Sequence, residues 1–174
     1  MKTLYFLRHA KSDWGEVDLP DHERPLNRRG RKACVKTGVR LRNKSFNPGL
    51  VLCSSAARAQ ETLRAIMSAA DCNWPVQLEP ELYGAGADRV LGLIRQQSDK
   101  HDSLLLIGHN PGFQDIVIGL AGSEKQAGAL ARIARKMPTA AFSELSFKVD
   151  SFKEIGVGSG CLVDFFTPKD KTMV

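Results

Sequence analysis

No stretch of this 174-residue chain approaches the roughly 20 consecutive apolar side chains that a bilayer-spanning helix needs, and the first residues carry no basic segment, long apolar core and small-residue cleavage site in succession. A cytoplasmic protein with no membrane partner is expected. Cysteine is sparse and scattered: Cys34, Cys53, Cys72 and Cys161 make no CxxC pair, which argues against a zinc ribbon or a thiol redox motif. In a reducing compartment four such thiols are expected to stay unpaired, with Cys53, inside an apolar run, serving as packing. No clustered metal-ligand motif is present, so neither metal nor cofactor is expected. Repeats, low-complexity tracts and composition shifts are also missing. Residues 1–174 are therefore expected to form one domain, long enough to bury a substantial core.

Acidic residues are outnumbered, 19 against 25 Lys and Arg, for a formal net charge of +6. Much of the excess lies between Arg28 and Lys44, interleaved with Cys34, Val35, Gly38, Val39 and Leu41. A nucleic-acid surface would need more than charge, and the segment has no aromatic platform. A solvated helix face is the favoured reading, and its positive field also suits anionic substrates. Residues 126–136 form a second basic stretch, with Leu130, Ile133 and Ala134 as its apolar positions. Its small apolar face favours a helix docked on the protein over one lying on a membrane.

Three apolar runs organise the rest. Residues 3–7, 50–53 and 104–107 read as interior strands, and each is followed by a helix-like segment, the alternation of an α/β sheet with helices on both faces. Helices are predicted over 28–43, over 58–70, around Val90 to Ile94, and over 112–121 behind Pro111. Two late strands are predicted at 143–149 and 161–166, separated by a Gly-rich turn at 156–160. The expected architecture is a single-domain three-layer α/β/α sandwich with a mostly parallel central sheet.

Polar residues cluster where the strands end. Arg8 and His9 close the first run, Ser54 to Arg58 follow the second, and Gly108-His109 follow the third. Ligands of open α/β sheets gather at such strand ends, so the pattern predicts one pocket with two guanidiniums and two imidazoles. A guanidinium fork matches phosphate oxygens and stays charged. Ser54 and Ser55 are placed to cap the helix near Arg58. His9 is the better nucleophile, because the charge of Arg8 beside it disfavours imidazolium and preserves a lone pair. His109 then donates to the phosphoryl group, and Arg8 and Arg58 neutralise it without a metal.

At these residues the sequence resembles the histidine phosphatase superfamily, also called phosphoglycerate mutase-like. The resemblance lies in Leu7-Arg8-His9-Ala10, in Ser54-Ser55-Ala56-Ala57-Arg58-Ala59-Gln60-Glu61-Thr62 and in Gly108-His109-Asn110-Pro111, in that order. Ala10 stands where the superfamily signature commonly has glycine. Arg24-Pro25-Leu26, Pro80-Glu81-Leu82, Gly112 and Pro138-Thr139-Ala140 extend the likeness to the small SixA-type phosphohistidine phosphatases. The resemblance implies a phosphoglycerate mutase-like fold, a phosphorylated His9, a phosphate pocket of Arg8, Arg58 and His109, and a phosphohistidine-bearing protein as partner.

Many phosphomonoesterases of the superfamily also need an acid for the leaving alkoxide. Glu81 is the nearest match, balanced against a solvated loop carboxylate, and Asp13 is a weaker substitute. Lys11 and Ser12 are candidate substrate contacts. Trp14 is read as packing rather than as a shield for the pocket edge, and His22 and His101 as surface residues. Two other readings stand beside the phosphohistidine phosphatase: a small-molecule phosphomonoesterase or mutase, and a phosphoanion- or nucleic-acid-binding module that does not use His9.

Overall fold

In the computed structural model, which describes residues 1–170, strands and helices follow in the order β1 (Lys2–Arg8), α1 (Arg28–Asn43), β2 (Leu50–Cys53), α2 (Ala57–Ala70), β3 (Val76–Leu78), α3 (Ala87–Arg95), β4 (Ser103–Gly108), α4 (Gly112–Leu120), β5 (Ala121–Glu124), α5 (Ala129–Arg135), β6 (Phe142–Phe147) and β7 (Gly160–Phe166). The last four positions of the expected domain lie outside the described residues. All seven strands join one sheet in the order β3-β2-β4-β1-β6-β7-β5. The pairs β2–β3, β2–β4, β1–β4 and β5–β7 are parallel, whereas β6 runs against both β1 and β7. The sheet is mostly parallel, as expected.

Side chains alternate across it. Leu4 and Phe6 of β1, Leu52 of β2 and Leu104 and Leu106 of β4 pack with α3, α4 and α5. Leu7, Val51, Cys53, Leu105 and Ile107 point to the other side and pack with α1 and α2. Strands buried on both faces need no polar alternation, which is why these runs are continuously apolar. The result is the three-layer α/β/α arrangement. Leu105 is fully buried in β4, and Leu105→Ala is expected to cost about 3 kcal/mol in denaturant unfolding.

Two strands escape the sequence reading. β3 is a three-residue edge strand with Val76 and Leu78 exposed, so no buried pattern marks it. β5 starts directly after α4, and its Ala-Gly-Ser-Glu sequence has no apolar periodicity. The basic helix predicted over 126–136 is only Ala129–Arg135. Its start is fixed by Glu124, whose carboxylate accepts from the backbone N–H groups of Gly128 at 2.8 Å and Leu130 at 2.7 Å. Ala129 and Ile133 are buried, leaving the basic positions outside.

This topology decides what meets at one edge of the sheet. β1, β2, β3 and β4 are mutually parallel, so their C-terminal ends lie together. β6 is antiparallel to β1, so its N-terminal approach, residues 138–141, reaches the same edge. β7 is antiparallel to β6, so its C-terminal end, residues 167–169, does too. Short 3-10 helices at Asp21–Glu23 and Pro80–Leu82 complete the surroundings.

Candidate active site

Strand register brings the two histidines together. Leu7 pairs with Ile107 and Arg8 with Gly108, so His9 and His109 leave the sheet side by side, with the His9 N–H donating to the Gly108 carbonyl at 2.9 Å. Their ring centroids are 4.9 Å apart. Both are buried, at 8% and 7% exposure. The loop after β1 is clamped from two sides. The Ala10 N–H donates to Thr62 Oγ1 of α2 at 2.9 Å, and Gly30 in α1 permits a backbone approach in which any Cβ would collide with the Lys11 carbonyl. Ala140, held at φ 58°, donates its N–H to the carbonyls of Arg8 and His9 at 3.0 and 3.2 Å.

The hydrogen bonding of His9 fixes its chemistry. His9 Nδ1 lies 2.7 Å from the Ala10 carbonyl oxygen, and a carbonyl only accepts, so the proton sits on Nδ1 and Nε2 carries the lone pair. Burial, reinforced by the Arg58 and Arg8 charges, lowers the His9 pKa to about 4. The ring is therefore neutral at physiological pH. Loss of solvation is a larger cause than the neighbouring charge that the sequence points to. His109 is lowered further, to about 3, by burial and then by the His9 and Arg58 charges. Its Nε2 meets Ser54 Oγ at 2.8 Å, while Nδ1 is buried without a partner among the described residues.

The two arginines are held differently. Arg8 donates to the Met137 carbonyl at 2.8 Å, and its buried Nε has no partner among the described residues. Arg58 is gripped by Asp21: NH2 donates to Asp21 Oδ2 at 2.9 Å and NH1 to the Asp21 carbonyl. Tyr83 donates its hydroxyl to the same Oδ2 at 2.8 Å. That hydrogen bond, followed by those from Arg58, holds the Asp21 carboxyl below its ordinary range. The Tyr83 ring stands edge-on to His109, with centroids 5.5 Å apart, and to His22 at 4.8 Å.

Several expectations change here. His22 is not a surface residue; it is half-buried, with Nε2 2.9 Å from Ser55 Oγ and its ring against Tyr83. Ser54 and Ser55 do not cap α2, whose N-cap is Ala56 without a side-chain bond, because their hydroxyls face His109 and His22 instead. Trp14 is not packed: it is 66% exposed, with the Arg24 guanidinium 4.4 Å from its ring centroid. Glu81 forms an ion pair with Arg89, both side chains about half exposed. Asp13 is exposed and accepts from the Gly15 N–H at 2.9 Å. His101 precedes β4, at the opposite edge of the sheet.

A cleft of about 910 Å³ opens above this floor, lined by Arg8, His9 and Arg58 and, at its margin, by Lys11, Ser12 and Trp14. Asp21 and Tyr83 were invisible in the sequence. Asp21 lies in a stretch that reads only as a charged loop, and Tyr83 follows a short helix with no periodic signal. The floor as a whole can accept a tetrahedral anion, with an unprotonated imidazole nitrogen between cationic groups.

The chain belongs to the histidine phosphatase superfamily, branch 1, whose family model matches residues 4–114, a span that contains Arg8, His9, Arg58 and His109. An uncharacterized protein of Mycobacterium tuberculosis is 32% identical over 164 residues, covering 94% of this chain and 100% of that one. Among solved structures, a protein from Agrobacterium tumefaciens assigned as the phosphohistidine phosphatase SixA is 27% identical with a TM-score of 0.80, over 96% of this chain and 98% of that one. A SixA assignment from Nakamurella multipartitia is 26% identical with a TM-score of 0.82, over 97% of each chain. The fold is phosphoglycerate mutase-like and the SixA likeness is shared along nearly the whole chain. Family and neighbours together support a phosphatase, a hydrolase acting on a phosphorylated substrate.

Proposed function

We propose that this protein hydrolyses phosphohistidine carried on another protein, through a transient phosphohistidine on its own His9, without metal or cofactor and in the cytoplasm. The observation that carries the reading is the neutral His9, with Nδ1–H directed to the Ala10 carbonyl and Nε2 unprotonated beside Arg8, Arg58 and His109. Nε2 attacks phosphorus, the P–N bond to the substrate imidazole breaks, and that imidazole leaves with its electron pair and is protonated by solvent. Water then attacks the phosphoryl group on His9, giving inorganic phosphate and restoring the free ring. Arg8 and Arg58 take up the charge of the equatorial oxygens, and His109 supplies a hydrogen bond to them.

Phosphohistidine suits this site because its imidazole leaves more easily than an alkoxide. Glu81 stays the candidate acid for a monoester, but its pairing with Arg89 supports a reaction that asks little of it. Lys11 and Ser12, both at the cleft margin, are assigned to the substrate body. The test is phosphate release from a phosphohistidine peptide and from p-nitrophenyl phosphate, each with and without a chelator. Preferential turnover of the peptide, unaffected by chelation, is expected; selective turnover of the monoester would contradict the substrate assignment, and metal-restorable loss would contradict the mechanism.

A further inference from the structure

Beyond the phosphoryl floor, the cleft carries more positive charge than one phosphoryl group requires. Lys11, Arg29, Arg132, Arg135, Lys136 and Lys169 line it, and no Asp or Glu does. These cations come from four parts of the chain: the loop after β1, the first turn of α1, the end of α5 with its following residue, and the segment after β7. The basic stretch of residues 126–136, whose role the sequence did not give, thus becomes one wall of the cleft. Arg132 is paired with Asp170 at 2.7 Å. The other five have no acidic partner within 4 Å among the described residues.

Their exposure indicates what they meet. All six are exposed, unlike the buried Arg58 and His9. A pocket built for a second phosphate of a small molecule would converge a few locked donors on one point. Solvated Lys and Arg side chains spread around a rim suit an extended acidic surface, for which they give steering and register. Trp14 stands on the same margin, 66% exposed yet steadied by the Arg24 guanidinium, in the manner of the aromatic anchors that dominate protein interfaces. One exposed ring is not the series of stacking platforms that a single-stranded nucleic acid uses.

Building on the phosphohistidine reading, we infer that this rim is a docking surface for an acidic protein face around the target phosphohistidine, with Arg29 and Arg135 as principal charges and Trp14 as anchor. The test uses two phosphohistidine peptides of equal length, one flanked by Asp and Glu and one by Ser and Gly, together with phosphoramidate as a substrate without a body. For the full chain at low salt, KM for the acid-flanked peptide is expected to be about tenfold lower than for the neutral one, and the gap should close as salt rises. In Arg29→Glu/Arg135→Glu the gap should also close, with kcat for both peptides and turnover of phosphoramidate unchanged. Trp14→Ala should raise KM for both peptides without changing the salt dependence.

Equal KM values for the two peptides, or a preference that survives in the double variant, would overturn the docking surface. Binding of the unphosphorylated acid-flanked peptide, followed by fluorescence anisotropy, separates this inference from the activity. Salt-sensitive binding lost in the double variant supports the rim even if no phosphohistidine is hydrolysed, in which case it is the substrate assignment that fails. Tighter binding of a single-stranded oligonucleotide than of that peptide would also overturn the inference.

Discussion

Arg58 and Arg135 line the same cleft under opposite constraints. Arg58 is buried, its guanidinium tied to Asp21, which Tyr83 in turn holds; Arg135 is exposed and has no acidic partner among the described residues. The floor is largely buried, so a charge there is little screened by solvent, and the grip of Asp21 fixes the Arg58 guanidinium in place. The rim is wet and adaptable, so a charge there changes encounter more than chemistry. Position relative to solvent, more than residue type, separates the two roles.

Removing a floor residue shows whether the rim can compensate. His9→Ala is expected to lower turnover by roughly a thousandfold or more, since the covalent step disappears, while circular dichroism and the melting transition stay near those of the unaltered chain. Near-normal turnover by a folded variant would end the assignment. Arg58→Lys keeps the charge and loses the planar fork; a fall in kcat of about a hundredfold is expected, against an unchanged kcat for Arg135→Gln. Equal effects at the two sites would erase the distinction between floor and rim.

Protonation gives a second contrast. Burial holds His9 to about 4 and His109 to about 3, both below the ordinary 6.5. In the proposed mechanism the reactive ring is the neutral one, so kcat/KM should fall about tenfold per pH unit only below about 4. An acid limb near 6.5 would show that the ring is solvated. Stability runs in the same direction: between about 6.5 and about 4 the unfolded chain binds protons that these folded histidines do not, so stability is complete above 6.5 and declines as pH falls through that window. His109→Gln should flatten the decline of the melting temperature with pH.

Smaller effects refine the picture of the floor. Asp21 pairs with Arg58, which in the proposed mechanism gives it a positioning role. Asp21→Asn is expected to lower kcat about tenfold, and inhibition by inorganic phosphate should strengthen because Arg58 loses its neutralising carboxylate. Unchanged kcat and phosphate inhibition would remove it from that role. Glu81→Gln should change phosphohistidine turnover by less than about twofold, given an easily leaving imidazole. A large loss confined to an alkyl phosphomonoester such as glycerol phosphate, whose alkoxide leaves poorly, would instead restore Glu81 as the acid of monoester cleavage.

Much of this floor was legible before any coordinates, because Arg8, His9, Arg58 and His109 stand just beyond apolar runs whose alternation predicts strands and whose ends predict ligands. What local pattern could not supply was pairing. Only the register of β1 with β4 places His9 against His109, and only long-range contacts bring Asp21 to Arg58 and Tyr83, and His22 to Ser55 and Tyr83. Local chemistry favours Ser54 and Ser55 as helix caps, yet their shortest hydrogen bonds are to His109 and His22, 55 and 33 residues away. β3 and β5 escaped for a related reason: edge position and short length leave them without a buried face to imprint a pattern.

The proposed chemistry of the floor turns on covalent use of His9 Nε2. Rapid acid-free quenching of the full chain during turnover of a phosphohistidine peptide, followed by peptide mass spectrometry, tests it most directly. The account predicts one phosphoryl group on His9, appearing and decaying at rates that match phosphate release, and absent when Arg58→Lys is sampled at the same time point. Steady phosphate release with no phosphoryl group on His9 at any time, or with His109 modified in its place, would contradict it.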